Sequence, residues 1–524
     1  MPALGNPCKA ESMVLAVKCP ECAAEAEFIL PSSQAIACQL CECVFDRRGR
    51  KLGRGEPINR DATLFDVGVV GNYLDARFTF IGCVQIRHEL GGLWNEWVIA
   101  FDDLTVATLA EHQGLFALTY ERDAKSLPRL GDVYAFEPGK RYVTAWGELV
   151  CAERGRAIVS AVKGELQQPT PPNARWFFVD FSTLDHRLAT LTLDDASDET
   201  PKDQVVEGRV RRFYVGPEVT IEALGLADRR PAPPESPGAA LGGTMPCPEC
   251  NFQIDKRVGQ YDVIVCPQCN TGMTVDGEGH TEVIFKQPKL AHKRPLELGV
   301  TTTLDVGFFS NGRTVPGRVP WPIGQEVLTV GHAVRSVIVD GTTYYFEEIL
   351  LSAGNAGFYW LVLTDATWYF ARRISAAQVE RVGSDVSFEG TTFTLQEANN
   401  ANVVQVTGES YYQITVGESA AVADYKNGVR MISSEGTNEE IVWTECLKVS
   451  ASDVCRLFGT VTWSSGARTG DGDSGGGDEA QQKTAQVVIW VVVIFIVLAF
   501  FVCSDGGGSG CGGFIGGGGG SFGK

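Results

Sequence analysis

Eight of the sixteen cysteines fall into two sets that share one spacing. Cys19, Cys22, Cys38 and Cys41 form "CPEC" and "CQLC", and Cys247, Cys250, Cys266 and Cys269 form "CPEC" and "CPQC". In each set fifteen residues separate two Cys-x-x-Cys pairs, and the intervening residues differ between the sets. A thiolate pair two residues apart grips one ion from a tight turn, and a second pair completes a tetrahedron. The spacing therefore predicts two zinc ribbons holding Zn2+ or another tetrahedral ion. Pro20, Pro248 and Pro267, each behind the first cysteine of a pair, suit such turns. Free core thiols or disulfides are the alternative, and in the first set Cys43 of "CQLCEC" offers a competing sulfur. Four thiolates leave no open position for water or substrate, so both sites are expected to be structural rather than catalytic.

Other candidate chemistry is thinner. "GDSGG" at Gly472–Gly476 has the letters of a serine-protease nucleophile loop, but it sits in low-complexity sequence that cannot position Ser474 against a base. No HExxH pair or complete phosphate-binding loop occurs among the six histidines and many glycines. Glu165 ("KGEL") with Asp180 ("VDF"), and Glu409 ("TGES") with Asp424 ("ADY"), could act as carboxylate pairs if strands bring them together; strand-end or turn roles are the plainer reading. His88 and His112 could be neighbours, yet the second half has no counterparts, so loop or surface positions are expected. In "LWNEWVIAF", Trp94 and Trp97 lie an odd number of residues apart and should face opposite sides of a strand. Basic stretches follow both cysteine sets, "DRRGRKLGR" and "FKQPKLAHKRP". They read as solvated segments that offset thiolate charge, with contact to RNA or anionic lipid as the alternative.

The elements that must carry these residues are mostly strands. Short alternating runs rich in aromatic and β-branched residues, such as "RFTFIGCVQIRHEL" and "YYQITVGESAAVADY", recur between Gly and Asn-Gly punctuation. The order of motifs repeats: Cys19 and Cys247, Asp66 and Asp305, Glu165 and Glu409, and Asp180 and Asp424 follow the same sequence in both halves. The expected fold is mainly β: a ribbon over 15–50, an antiparallel sandwich- or barrel-like domain over 58–224, a proline-rich linker over 225–244, a second ribbon over 245–285 and a second β domain over 296–460. Helices should be few, with "SAAQVERV" at 375–382 the best candidate. A Gly/Ser/acidic tether (464–484) then leads to "AQVVIWVVVIFIVLAFFVC", an apolar run long enough to cross a bilayer over 485–503, and to a glycine-rich tail over 504–524. No signal-peptide pattern opens the sequence, and Arg468 and Lys483 before the span favour a cytoplasmic bulk with the tail across the membrane.

"GGLWNEWVIAF", "VKGEL" and "FFVDF" in the first half, and "VTGESYYQITVGESAAVADYKNGVRMISSEGTNEEIVWTECL" in the second, resemble the bacterial domain-of-unknown-function family DUF4178. The first half is more diverged and lacks the segment that Glu435, Glu439, Glu440 and Trp443 supply in the second. The resemblance implies two family copies and a membrane-associated accessory role, possible for an envelope-stress system, but no catalytic residues. The net charge of −19 disfavours DNA and RNA and suits protein or cationic partners. The expectation is a membrane-anchored, non-enzymatic binding or scaffold protein that meets protein partners at the membrane. A sensor or enzyme for a small polyamine-like cation is the second expectation, and RNA binding through the ribbons the third.

Overall fold

A computed structural model describes residues 15–459 apart from 61–62, 90–91, 113–114, 124–134, 195–209, 230–242, 258–262, 276–280, 289, 311–320 and 355–356. The expected tether, span and tail, with Gly472–Gly476, lie outside the described residues. Among the described residues no helix is long and apolar enough to cross a membrane.

Each half closes into an eight-stranded antiparallel barrel. In the first, β1 (Ala76–His88), β2 (Leu93–Phe101), β3 (Val106–His112), β4 (Leu115–Arg122), β5 (Gly147–Leu166), β6 (Arg175–Ser182), β7 (Arg187–Asp194) and β8 (Val210–Val219) run in the order β5-β6-β7-β8-β4-β3-β2-β1, and β5 closes on β1. In the second, β9 (Glu326–Val339), β10 (Thr342–Ser352), β11 (Phe358–Thr364), β12 (Thr367–Ile374), β13 (Thr391–Ser410), β14 (Ser419–Asn427), β15 (Arg430–Gly436) and β16 (Ile441–Val449) repeat that order, and β13 closes on β9. Closure leaves no free edge within either barrel. The mainly-β expectation is met, and of its two forms the barrel is found.

The ribbons are parts of the same sheets rather than separate modules. Strand Ala35–Ala37 pairs with the end of β5, and strand Val263–Val265 with the end of β13. The 20-residue length of β5 and β13 makes this possible: one stretch serves the barrel and the last residues reach the ribbon.

Both barrels carry a covered apolar layer outside and ionisable groups inside, and the inner face of the first also holds a buried apolar cluster of Val84, Ile86, Ala157, Trp176 and Phe178 with Trp94 packed on it. Side chains that touch across a barrel must point inward, and Arg335 on β9 donates to Glu435 on β15 at 2.7 Å although two strands separate them in the sheet. Trp94 on β2 likewise meets Phe178 on β6. Trp97 and Leu109 therefore point outward, and they are 1% and 0% exposed, whereas inward Trp94, Glu96, Ala110 and His112 are only half-buried. The two tryptophans thus take opposite faces as expected. The outer face of β1–β4 is covered by Phe65, Ile221 and Leu224. In the second half, α1 (Val306–Ser310), α2 (Ala451–Phe458) and Trp321 cover Ile349, Leu361, Phe370 and Leu447.

The expected helix at 375–382 is corrected. Ala376–Gln378 makes one 3-10 turn, and Val379–Val382 is a strand paired with Asp385–Phe388. Val379, a β-branched residue, is buried against Phe388 and Trp443, so packing overrides the helical spacing.

A close backbone approach fixes the seam of each barrel. A Cβ on Gly82 would lie 1.8 Å from the Glu165 carbonyl oxygen, and one on Gly331 2.1 Å from that of Glu409. Gly331→Ala should therefore destabilise the protein by about 2 kcal/mol or more, seen as a melting point lower by several degrees. An unchanged melting point would contradict this seam.

Candidate functional sites

The two cysteine sets assemble as the spacing predicts. In each set all four sulfurs lie within 4.8 Å of one another: Cys19–Cys41 at 3.6 Å and Cys22–Cys38 at 3.5 Å in the first, Cys247–Cys269 and Cys250–Cys266 at 3.6 Å in the second. Sulfurs on a tetrahedral zinc stand about 3.8 Å apart, from a bond of about 2.3 Å, whereas a disulfide needs about 2.05 Å. The donor sets fit a tetrahedral ion, and both could hold one. Burial opposes ionisation of Cys19, but the N–H groups of Cys22 and Glu21 and the thiols of Cys41 and Cys22 bring it down to about 6. Cys269 is brought to about 7 against burial by the hydroxyl and N–H of Thr271, while burial pushes Cys266 up to about 12. Cys43 lies buried beside the first set, at the place Thr271 holds beside the second.

The basic stretches are used locally. Arg47 donates to the carbonyls of Leu30, Pro31 and Ser33, Lys51 pairs with Glu21, and Lys286 pairs with Glu249. In both ribbons a lysine from beyond the second knuckle meets the glutamate inside the first.

The four singled-out carboxylates do not pair with one another, the outcome expected on the plainer reading of their positions. Glu165 is 2% exposed and accepts from Ile29 N at 2.6 Å and Leu30 N at 3.2 Å; Glu409 is 1% exposed and accepts from Arg257 N at 2.6 Å. Ile29 and Arg257 hold the same place, seven residues beyond the second cysteine of their sets. Each glutamate is a latch between barrel and ribbon, and charge-assisted bonds of this kind are the stronger class. Asp180 and Asp424 face other partners: Asp180 lies opposite Glu153 across β5–β6, and Asp424 opposite Glu397 across β13–β14. A bulge one or two residues before Glu153 and Glu397 sets both registers. Sequence spacing missed Glu153 and Glu397, because their meaning lies in strand register.

The lumens are ionisable. Burial pushes Glu96 up to about 7, partly offset by Trp94, and Asp180 up to about 6, partly offset by the Thr190 hydroxyl that donates at 2.6 Å. Burial, then Glu440 and Asp180, push Glu153 well up. In the second lumen Arg335 binds Glu348 at 2.9 Å and Glu435 at 2.7 Å. The halves meet where Glu153 bridges Glu440 and where Arg154 donates to Asn438 O at 2.8 Å. Arg373 stands 3.7 Å from Glu440, and burial is outweighed by Glu440, Glu153 and Glu218 in holding it charged.

His88 and His112 are not surface residues. His88 points into the first lumen against Phe178, with Glu153 at 3.7 Å, and burial lowers its pKa. Burial, then Arg373 and His88, push His112 down to about 3. They are neighbours in space, since strand ends that are far apart in sequence converge at one mouth of the lumen. His332, which no motif marked, binds Glu347 at 2.8 Å in the second half.

The fold and sites define a duplicated ribbon-and-barrel protein with four-cysteine sets and lumens that carry ionisable groups. Residues 324–451, from just before β9 to the first residue of α2, match the family model for a domain of unknown function, DUF4178. No curated protein matches the chain.

Two outcomes test this description. Glu409→Ala should expose the Arg257 amide to hydrogen exchange and speed metal loss to a chelator from the second ribbon several-fold, leaving the first unchanged; equal loss from both would refute a local latch. A carboxyl whose folded pKa is raised favours the folded state when protonated, and that advantage is lost as pH rises from the ordinary value of 4.5 towards about 7. Glu96→Gln should thus raise the melting point most at about pH 8 and progressively less towards about pH 5.5. An increment that does not vary with pH would contradict the assignment.

Proposed function

We propose that this chain is a membrane-anchored, non-enzymatic binding or scaffold protein. Two structural Zn2+ sites, at Cys19, Cys22, Cys38 and Cys41 and at Cys247, Cys250, Cys266 and Cys269, brace two barrels of one family type, the first a diverged copy. Residues 485–503 anchor the chain, with the bulk cytoplasmic and the tail on the far side. The observation that carries the reading is the two four-cysteine sets joined to the barrel sheets: an ion held by four sulfurs has no position for substrate, which supports a structural role for the ribbons and a binding role for the barrels. Holding such a body at a membrane raises the local concentration of any protein it captures.

Elemental analysis of the purified chain should find two zinc ions per chain, falling to one in Cys250→Ser. Deleting 485–503 should move the chain from the membrane fraction to the supernatant. Absence of bound ion, cysteines oxidised to cystines, or membrane retention without the segment would each overturn its part of the reading.

A second reading, a sensor of a small cationic ligand, is favoured by the half-buried carboxylates inside the first barrel. The RNA reading loses ground, because Arg47, Lys51 and Lys286 are engaged within the ribbons.

A further inference from the structure

We propose that the lumen of the first barrel binds an organic ammonium ion, its charge held between Glu96 and Asp180 and its apolar part against Trp94 and Phe178. This rests on the ligand reading of the barrels and not on the membrane anchor. The lumen is only partly filled: along β2 and β3 outward Trp97 and Leu109 are 1% and 0% exposed, while inward Trp94, Glu96, Ala110 and His112 are half-buried, and the inward apolar residues Val84, Ile86, Val98 and Phe178 are buried at its other side. A barrel of eight strands that is not filled by its own side chains has room for one small ligand.

The chemistry of the lining selects the charge. Among the described residues no lysine or arginine stands within 4.0 Å of Glu96 or Asp180; Asp180 accepts from Thr190, and Glu96 is held by Trp94. Trp94 and Phe178 meet at 5.5 Å between ring centroids, and His88 packs on the same phenyl ring at 5.5 Å, so an aromatic corner adjoins the two carboxylates. Acid beside aromatic faces is the environment that recognises ammonium groups. A bare metal ion does not suit the same lining. Among the described residues the groups of three or more potential ligands that converge within 4.8 Å are the two cysteine sets, and the lumen carboxylates are not among them. Arg373, from the second half, already lends its guanidinium charge to Glu153, Asp180 and Glu218 at one mouth, so a cation is accommodated there within the molecule itself.

The test uses the full chain, zinc-loaded and in detergent, titrated calorimetrically with butylammonium at physiological ionic strength, with butanol and butyrate as neutral and anionic counterparts. Saturable binding of butylammonium alone is expected, weakened at least tenfold by Glu96→Gln and by Asp180→Asn and unchanged by Glu348→Gln in the other barrel. Zinc content and melting point verify that each variant is folded. Butanol binding as well as butylammonium, with both first-barrel variants silent, would overturn the ammonium assignment while leaving a ligand-binding lumen in place. Binding unaffected by Glu96→Gln and Asp180→Asn would place the site elsewhere, and binding of none of the three probes would overturn the assignment and remove the support it draws from the partly filled lumen.

Discussion

Each half depends on one long strand that must serve two bodies. The first stretch of β5 or β13 pairs within the barrel, the middle closes the barrel on β1 or β9, and the last residues pair with the ribbon. The glycine–glutamate pair near the end of that strand makes the change of partner possible. Gly164 and Gly408 take φ of +68° and +79°, conformations that a side chain disfavours, and the following glutamate then aims its carboxylate at the ribbon backbone. The four-cysteine ribbon on one side and sheet closure on the other are thus joined through two adjacent residues.

The flanking segments explain why each barrel can carry apolar residues on its outer face. Because apolar outer faces are covered by the flanking segments, the interior need not be the whole hydrophobic core, and in the first half it keeps ionisable groups beside the apolar cluster around Trp94, Ile86 and Phe178. In the second half a buried network of Arg372, Glu445, Arg430 and Glu389 lies under Trp321, whose ring is 4.1 Å from the Arg372 guanidinium. Charged pairs are therefore buried on both sides of the wall, Arg372 with Glu445 under the outer cover and Arg335 with Glu348 in the lumen.

The cysteine sets were legible in the sequence because four sulfurs that could hold one tetrahedral ion need their pairs on local turns at a fixed spacing. The strand-rich character was legible too, from alternation in runs such as "LWNEWVIAF". Which face is inside was not, because a period of two is the same whether the apolar side faces a lumen or an external cover. Glu165 and Glu409 were visible as a repeated motif, but their role depends on backbone groups more than a hundred residues away. Glu153, Glu397 and Arg373 carried no signal, since register bulges and the meeting of two halves decide their neighbours. The turn at Ala376–Gln378 shows local helical spacing yielding to a buried valine.

The stretch that defines the family match begins inside the second half and stops at the first residue of α2. Excised at those limits, it would lose Phe308, Phe309 and Trp321 from one side and Phe458 from the other, stripping the hydrophobic coat from Leu361 and Phe370. The matched stretch is thus shorter than the body whose apolar surface is covered in this chain. In this chain the covering residues on both sides of the match, Phe308, Phe309 and Trp321 before it and Phe458 after it, therefore come from outside the matched stretch.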